Sequence, residues 1–249
     1  MSNRSWRNAG RLIKYCALTV VFFVCAVLIW RIASSGDPQS MKTILVSEST
    51  YEAYVEGGEQ LQMFYQSQQP ITRGEDNYGF FSVTWVAFIP EADQLQIVFR
   101  YNNSTLRNVA KLVGTDHVHG RDEDVFDVSV VVNTDLTPDR ESDNAYNADE
   151  YPEAVSAKRY FPTQVVSEQK NVYNYRKYIF EGISLDELSL AVFVDIYYNG
   201  VGANGETVVP DYSEDAMGTL CIYDYKSKNI SRDLTSNDIA ALEDWKKKH

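Results

Sequence analysis

The sequence is poor in cysteine, and its cysteines are poorly placed for cross-links. Only 3 of its 249 residues are cysteine, and two of them, Cys16 and Cys25, lie in one apolar stretch near the N-terminus. Cys221 is the single cysteine in the rest of the chain, so no disulfide can form within that part. A secreted animal domain would usually contain disulfides, so their absence fits an exported bacterial protein that relies on its core.

Positive charge is scarce outside the N-terminus. The chain has 23 Lys and Arg against 35 Asp and Glu, and residues 1–40 hold five of the bases and one of the acids. Eighteen bases and thirty-four acids remain beyond residue 40, a net formal charge of −16. Such an acidic domain lacks the clustered Lys and Arg that contact phosphates, so we predict no nucleic-acid partner.

Signature motifs of common enzyme classes are missing as well. The sequence contains no phosphate-binding glycine loop, no serine nucleophile elbow and no HExxH zinc helix. We therefore predict a protein that is not an enzyme, and we assign it no catalytic residue, no cofactor and no metal ligand.

What the sequence does have is one long uncharged run. Residues 15–30, YCALTVVFFVCAVLIW, carry no formal charge and are bounded by Lys14 and Arg31. A membrane-spanning helix needs about 20 mostly apolar residues, and apolar residues on both sides extend the run to 12–33. The pattern predicts a transmembrane signal-anchor helix over 12–33, with the lipid bilayer as its partner.

The charges around this run predict its direction. Four bases lie within residues 1–14, whereas Arg31 is the only base directly after the run. This excess favours a single-pass protein of the cell membrane with a cytoplasmic N-terminus and an extracytoplasmic C-terminal part. A cleaved signal peptide is the alternative, because Ala33-Ser34-Ser35 offers small residues for cleavage. Both alternatives export the rest of the chain.

Apolar residues beyond position 79 alternate in the way that is typical of strands. Residues 80–89 have two apolar faces, which predicts a central strand with Phe81, Val83, Trp85, Ala87 and Ile89 on one face. A turn over 90–93 joins it to a second strand, in which Gln94, Gln96 and Arg100 are predicted to point outward. The inward positions predicted in the later strands are Leu95, Ile97, Phe99 and Tyr101, then Phe126, Val128, Val130 and Val132, and then Leu188, Leu190, Val192, Val194, Ile196 and Tyr198. A further strand is predicted over 172–180, with Val172, Tyr178 and Phe180 on one face.

Other segments carry weaker patterns. Residues 43–47, 51–55 and 61–65 are predicted as short strands or as a packed N-terminal arm, and residues 104–112 as a helical turn. Residues 159–166 contain Pro162, which predicts a broken edge strand. A C-terminal helix is predicted from a cap at Ser236 or Thr235 to about Lys248. We expect its apolar face, with Ile239, Leu242 and Trp245, to pack onto the domain.

Many short strands without alternating helices predict a mainly β protein, an antiparallel β-sandwich. The segments YIF (178–180) and LSLAVFVDIYY (188–198) resemble the strands of immunoglobulin-like sandwiches in exported bacterial proteins. The resemblance implies an immunoglobulin-like β-sandwich. The predicted organisation is a cytoplasmic N-terminus over 1–11, a transmembrane helix over 12–33, a linker and N-terminal arm over 34–78, the sandwich over 79–227, and a tail with a short helix over 228–249.

Two segments contain groups that bind metals in other proteins. His117 and His119 are separated by one residue, with Asp116, Asp122 and Asp124 nearby, and such a set can bind zinc when a third ligand joins it. The loop over 135–151 is rich in carboxylates, which calcium prefers, although its spacing fits no EF-hand. Solvated polar loops are the simpler interpretation of both segments.

Cys221 raises an enzymatic alternative. An N-terminal anchor, an exported β-rich domain and one cysteine near the C-terminus resemble the layout of sortases, which are transpeptidases. The sortase strand ends in Leu-x-Thr-Cys, whereas Thr219 and Leu220 stand in other places before Cys221 here. The resemblance implies Cys221 as nucleophile, with Arg232 and His117 or His119 as partners.

The sequence therefore predicts a membrane-anchored, extracytoplasmic β-sandwich that binds or scaffolds at a bacterial cell surface, with a protein as its possible partner. The alternative is an exported enzyme, either a sortase-like transpeptidase that uses Cys221 or a metal-dependent hydrolase that uses His117 and His119.

Overall fold

The structure, a computed structural model, divides the chain into two units, Met1–Asp37 and Pro38–His249. It describes residues 3–34, 36–58, 64–66, 69–70, 81–133, 158–184, 191–212, 216–224 and 233–249. The first unit is one helix, α1 (Asn3–Ser34), in which every side chain described, over 14–30, is exposed. Within the described part of the chain, no helix is both long enough and apolar enough to cross a membrane.

The second unit is mostly β. Its helices are α2 (Glu48–Gly57), α3 (Asn103–Val113) and α4 (Ser236–Lys248), with short 3-10 turns at Ser40–Lys42 and Pro90–Ala92. Its strands are β1 (Phe64–Gln66), β2 (Gln69–Pro70), β3 (Ser82–Ile89), β4 (Gln94–Asn102), β5 (Phe126–Asn133), β6 (Lys158–Tyr160), β7 (Gln164–Lys170), β8 (Tyr173–Glu181), β9 (Ala191–Tyr198) and β10 (Gly218–Asp224).

These strands form two antiparallel sheets. Sheet I has the order β3-β4-β8-β7, and the short strands β1 and β2 both pair with β3. Sheet II has the order β10-β9-β5-β6. The prediction of a mainly β protein with an antiparallel sandwich and a short C-terminal helix is confirmed at this level.

The main core lies between the two sheets. It joins Ile97 and Phe180 of sheet I to Val130 and Val194 of sheet II, all of them fully buried. Phe81 and Phe126 pack edge to face with ring centroids 4.8 Å apart. The inward positions predicted for β4, β5 and the described part of β9 are confirmed, whereas Leu188 and Leu190 lie outside the described residues.

The face of sheet I that points away from sheet II, here called the outer face, carries a second core. Residues 38–58, the N-terminal arm, cover this face together with α4, and they bury Met41, Ile44 and Leu242 against it. The segments over 43–47 and 51–55 are therefore part of a packed arm and are not strands. The second segment lies in α2, which Ser47 caps by accepting a hydrogen bond from the Thr50 N–H. The described part of the second unit thus forms three layers: sheet II, sheet I, and the arm with α4.

The C-terminal helix docks on this outer face, as predicted. Thr235 caps it in a reciprocal capping box with Asp238. Asp238 also accepts a 2.8 Å hydrogen bond from the Ile44 N–H, which ties the helix to the arm. Leu242 is fully buried, and the Trp245 ring lies 4.7 Å from the Tyr51 ring of α2.

Three details of the predicted strands are wrong. A register irregularity between Val83 and Trp85 shifts the alternation of β3, so Phe81 and Val83 face the main core while Trp85, Ala87 and Ile89 face the arm. Gln94 and Gln96 do point away from sheet II, but they are fully buried because the arm covers them. Val172 lies in the turn before β8 and is 62% exposed.

The predicted broken edge strand is two strands in different sheets. β6 forms one edge of sheet II and β7 forms one edge of sheet I, and Pro162 lies in the short connection between them. Proline cannot donate a backbone hydrogen bond, so it suits the point at which the chain leaves one sheet for the other.

Candidate functional site

Three loops meet at one end of the sandwich. The connection from α3 to β5 contains both histidines of the His-x-His pair, and the tight β7–β8 turn and the β9–β10 connection lie against it. Arg121 donates a 2.9 Å hydrogen bond to the carbonyl of Asn171 in the β7–β8 turn. The Asn199 N–H donates to the Val125 carbonyl at 3.1 Å. This end of the domain is therefore a contiguous surface built from three separate connections.

Both ring nitrogens of His119 form hydrogen bonds, one to the β9–β10 connection and one within its own loop. Its Nε2 lies 3.0 Å from the Val201 N–H, and its Nδ1 lies 2.5 Å from a carboxylate oxygen of Glu123. A backbone N–H only donates, so Nε2 must accept, and the ring proton must therefore lie on Nδ1. The His119 side chain is 9% exposed, which is consistent with a structural contact between the loops.

Gly200 leaves the space that this contact needs. A Cβ at position 200 would lie 2.6 Å from His119 Nε2 and 2.6 Å from the Tyr198 hydroxyl, closer than real Cβ contacts. The glycine therefore allows the β9–β10 connection to approach the His119 ring.

Glu123 accepts a hydrogen bond at each of its two carboxylate oxygens. One of its oxygens accepts the His119 Nδ1–H and the other accepts the Gly120 N–H at 2.7 Å. These two hydrogen bonds, the one from His119 first, lower the pKa of Glu123 below its ordinary value. Glu123 is therefore an ionised carboxylate with a fixed orientation, and its side chain is 49% exposed.

His117 lies at the exposed side of this cluster. Its ring centroid is 4.4 Å from that of His119, and the two rings meet edge to face. His117, His119 and Glu123 each offer one potential ligand atom, and these atoms lie within 4.8 Å of one another. They are the only such group of His, Cys, Asp and Glu among the residues that the structure describes.

The predicted and observed members of this cluster differ. The structure brings His117 and His119 together in the loop between α3 and β5. The carboxylate that joins them is Glu123, whereas the sequence pointed to Asp116, Asp122 and Asp124. The spacing of four residues between His119 and Glu123 is a local signal, but only the fold of the loop shows which acid contacts the histidine.

Arg176 holds the second half of this loop from the side of sheet I. Its guanidinium donates to the carbonyls of Asp122 and Glu123 at 3.2 and 3.0 Å. Arg176 and Asn174 of β8 also reach the Tyr101 hydroxyl, at 3.4 and 2.6 Å. The loop is thus fixed to sheet I by the Arg176 side chain, which in turn contacts Tyr101 of the same sheet.

The residues of the transpeptidase alternative are not brought together in the described part of the chain. Cys221 pairs in β10 with Phe193, near the middle of β9, whereas His119 contacts Val201 beyond the end of β9. At about 3.3 Å per strand residue, some 16 Å separates the level of Phe193 from Tyr198, the last residue of β9. Arg232 and the acidic loop over 135–151 lie outside the described residues.

A second polar cluster, which the sequence did not indicate, lies on the face of sheet II that points away from sheet I. Asp195 is 1% exposed and pairs with Arg159 of β6 at 3.1 Å, and it accepts a 2.7 Å hydrogen bond from Thr219. The same Arg159 nitrogen contacts the hydroxyls of Ser129 and Tyr197. Because these groups satisfy one another, the cluster fits a structural ion pair that holds β6 to the sheet.

Comparisons with known proteins find no counterpart of this chain. No protein-family model matches it, and neither a curated protein nor a solved structure is significantly similar to it.

Proposed function

We propose that the chain is a single-pass membrane protein that holds an immunoglobulin-like β-sandwich outside the cytoplasm of a bacterial cell, as a non-catalytic module for binding or scaffolding. The observation that carries this proposal is the surface of α1. Its side chains over 14–30 are all exposed, and they include Phe22 at 72%, Phe23 at 69% and Ile29 at 66%. A helix that is apolar on every side needs an apolar environment, and a bilayer supplies one.

The described apolar surface of α1 is shorter than a bilayer, so the proposal also relies on the sequence of its flanks. The described side chains of α1 cover about 25 Å of helix, against roughly 30 Å of hydrocarbon. In the sequence, Leu12 and Ile13 before this segment and Ile32 and Ala33 after it are also apolar. The excess of bases before the run favours a cytoplasmic N-terminus, which leaves the second unit outside.

The order of the strands supports an immunoglobulin-like sandwich. If strands β3 to β10 are lettered A, B, C, C′, D, E, F and G in chain order, sheet I reads A-B-E-D and sheet II reads G-F-C-C′. Immunoglobulin sheets have the orders A-B-E-D and G-F-C, and an added C′ strand lies beside C.

The loop end described above is the surface that we propose for partner contacts. In immunoglobulin-like domains, the B–C and F–G loops lie at one end and are used for recognition. Here these loops expose Val118 at 51% and Val209 at 87%, and the turn between β7 and β8 exposes Val172 at 62%. Apolar side chains at the tips of ordered loops are suited to protein contacts.

The anchor is tested by fractionation. We expect the full chain to remain with membranes after washes with high salt and alkaline carbonate, and a fragment over 38–249 to be released. The double substitution Val21→Arg and Phe22→Arg places two charges in the apolar run and should reduce retention, whereas Val209→Arg should not. Protease added outside intact spheroplasts should cleave the second unit. A full chain that washes off, or a second unit that is protected, would contradict the proposal.

The contact surface is tested by photo-crosslinking in cells. A photoreactive residue at Val118, Val172 or Val209 should give reproducible protein adducts. Val55 of α2 is a matched control, because it is as exposed as Val172, at 62%, but belongs to the arm. Adducts that form equally at Val55, or at none of the four positions, would argue against the loop end as the binding surface.

A further inference from the structure

We propose that the loop between α3 and β5 binds one divalent transition-metal ion, with His117 and Glu123 as the ligands and His119 as a positioning residue. The ions that suit one imidazole and one carboxylate are Zn²⁺, Ni²⁺ and Cu²⁺. This inference rests on the geometry of the loop and is independent of the proposed membrane anchor.

The first step is the availability of the two ligands. The His117 ring is exposed, and among the described residues no group forms a hydrogen bond with its nitrogens. The Glu123 carboxylate is half-exposed and faces the same space, within 4.8 Å of the histidines. A neutral imidazole nitrogen and a carboxylate at this separation can close on one ion by small side-chain rotations.

The second step is the preorganisation of Glu123. The Gly120 N–H and the His119 Nδ1–H hold its two oxygens, so little rotational freedom is lost when an ion binds. Gly120 also gives the carboxylates room, because a Cβ there would lie 2.6 Å from an Asp122 oxygen and 3.2 Å from a Glu123 oxygen. Hydrogen bonds of this kind orient ligating carboxylates in metal sites.

The third step is the role of His119. The Val201 N–H requires an unprotonated Nε2, so Nδ1 carries the ring proton and has no lone pair for an ion. Ligation through Nδ1 would move that proton to Nε2 and set two donors against each other at 3.0 Å. The structure therefore assigns His119 to orientation of Glu123 rather than to the metal, and water completes the coordination.

The test is titration of the tag-free full chain with ZnCl₂ and NiCl₂ by calorimetry. Physiological ionic strength screens diffuse binding to the acidic surface. We expect one saturable site, at least tenfold weaker binding after His117→Gln or Glu123→Gln, and 10- to 100-fold weaker binding after His119→Gln. His249→Gln is the matched control, since His249 is the only other histidine and stacks on Trp245, and it should bind as the unaltered chain does.

A spectroscopic measurement separates ligand from positioning residue. Electron paramagnetic resonance of the Cu²⁺ complex should show one imidazole nitrogen, and His119→Gln should leave that nitrogen in place, whereas His117→Gln should remove it. Circular dichroism and thermal unfolding of each variant establish that it folds. Binding that is unchanged in the folded His117→Gln variant, or that is absent from the unaltered chain, would overturn the site. Two coordinated imidazoles would overturn the role of His119.

Discussion

Lys177 is a buried cation at the centre of the outer face of sheet I. It is 2% exposed, its Nζ donates to the carbonyls of Ser40 and Thr43 in the arm, and it lies 5.0 Å from the centre of the Trp85 ring. Burial lowers the pKa of Lys177 to about 8, although Asp238 and Glu168 act in the opposite direction. One residue therefore links the stability of the arm to pH.

The sign of this link follows from the two states of the chain. The unfolded chain keeps the Lys177 proton up to its ordinary pKa of 10.5, whereas the folded protein loses it near pH 8. Between these values the unfolded state binds more protons, so the free energy of unfolding should rise with pH, by up to about 3 kcal/mol. Lys177→Met should lack this rise when urea unfolding is compared at pH 7.5 and pH 10.

Lys247→Met is the control for this measurement, because the Lys247 side chain is 71% exposed and pairs only with Asp244 at the surface. Other groups that titrate in the same range contribute equally to both variants. If Lys247→Met and Lys177→Met show the same change with pH, the lowered pKa of Lys177 is wrong.

At the scale of elements, α4 makes a testable contribution. Leu242 is fully buried in the outer core, whereas Leu112 of α3 is 51% exposed. Leu242→Ala should reduce the free energy of unfolding by about 3 kcal/mol, because it removes packed atoms and leaves a cavity. Leu112→Ala should cost less than about 1 kcal/mol. Urea unfolding of both variants measures the difference, and equal losses would mean that α4 is not docked in solution.

The sequence predicted the strands and helices better than it predicted which side chains the rest of the fold buries. Periodicity is a local signal: alternation predicted the inward faces of β4, β5 and β9, and apolar residues at every third position predicted the apolar face of α4. It did not predict the irregularity in β3, because one extra residue reverses the alternation without changing the composition. Gln94 and Gln96 are polar by type, and only the distant arm explains their burial: Leu45 exchanges two backbone hydrogen bonds with the Gln96 amide.

At the candidate site, too, the contacts between residues that are distant in the chain could not be predicted from the sequence. The His-x-His spacing is visible in the sequence, but the edge-to-face contact of the two rings is seen only in the structure. The partner of His119 in the β9–β10 connection is 82 residues away in the chain, and no local pattern encodes it. The tautomer of His119, and with it the division between ligand and positioning residue, depends on that distant contact.

At the scale of the whole molecule, the arm is part of the folded unit although it lies next to α1 in the chain. The second unit begins at Pro38, and the arm covers the outer face within its first residues: Met41 and Ile44 are 2% and 3% exposed. Polar side chains of sheet I bind the arm backbone, so its removal would uncover both apolar and polar groups that are buried in the intact fold.

This arrangement predicts different results for two truncations. A fragment over 38–249 should unfold in one cooperative transition, with the same midpoint as the second unit has in the full chain, because α1 belongs to a separate unit.

A fragment over 59–249 loses Met41, Ile44 and Ala53 from the outer core and the Ile44 hydrogen bond to Asp238. At about 1.5–3 kcal/mol for each large buried side chain, it should lose about 4 kcal/mol of stability. Urea unfolding followed by tryptophan fluorescence measures this loss, since Trp85 lies under the arm. If the two fragments are equally stable, the arm is only a linker between α1 and the sandwich, and the outer core contributes nothing to the fold.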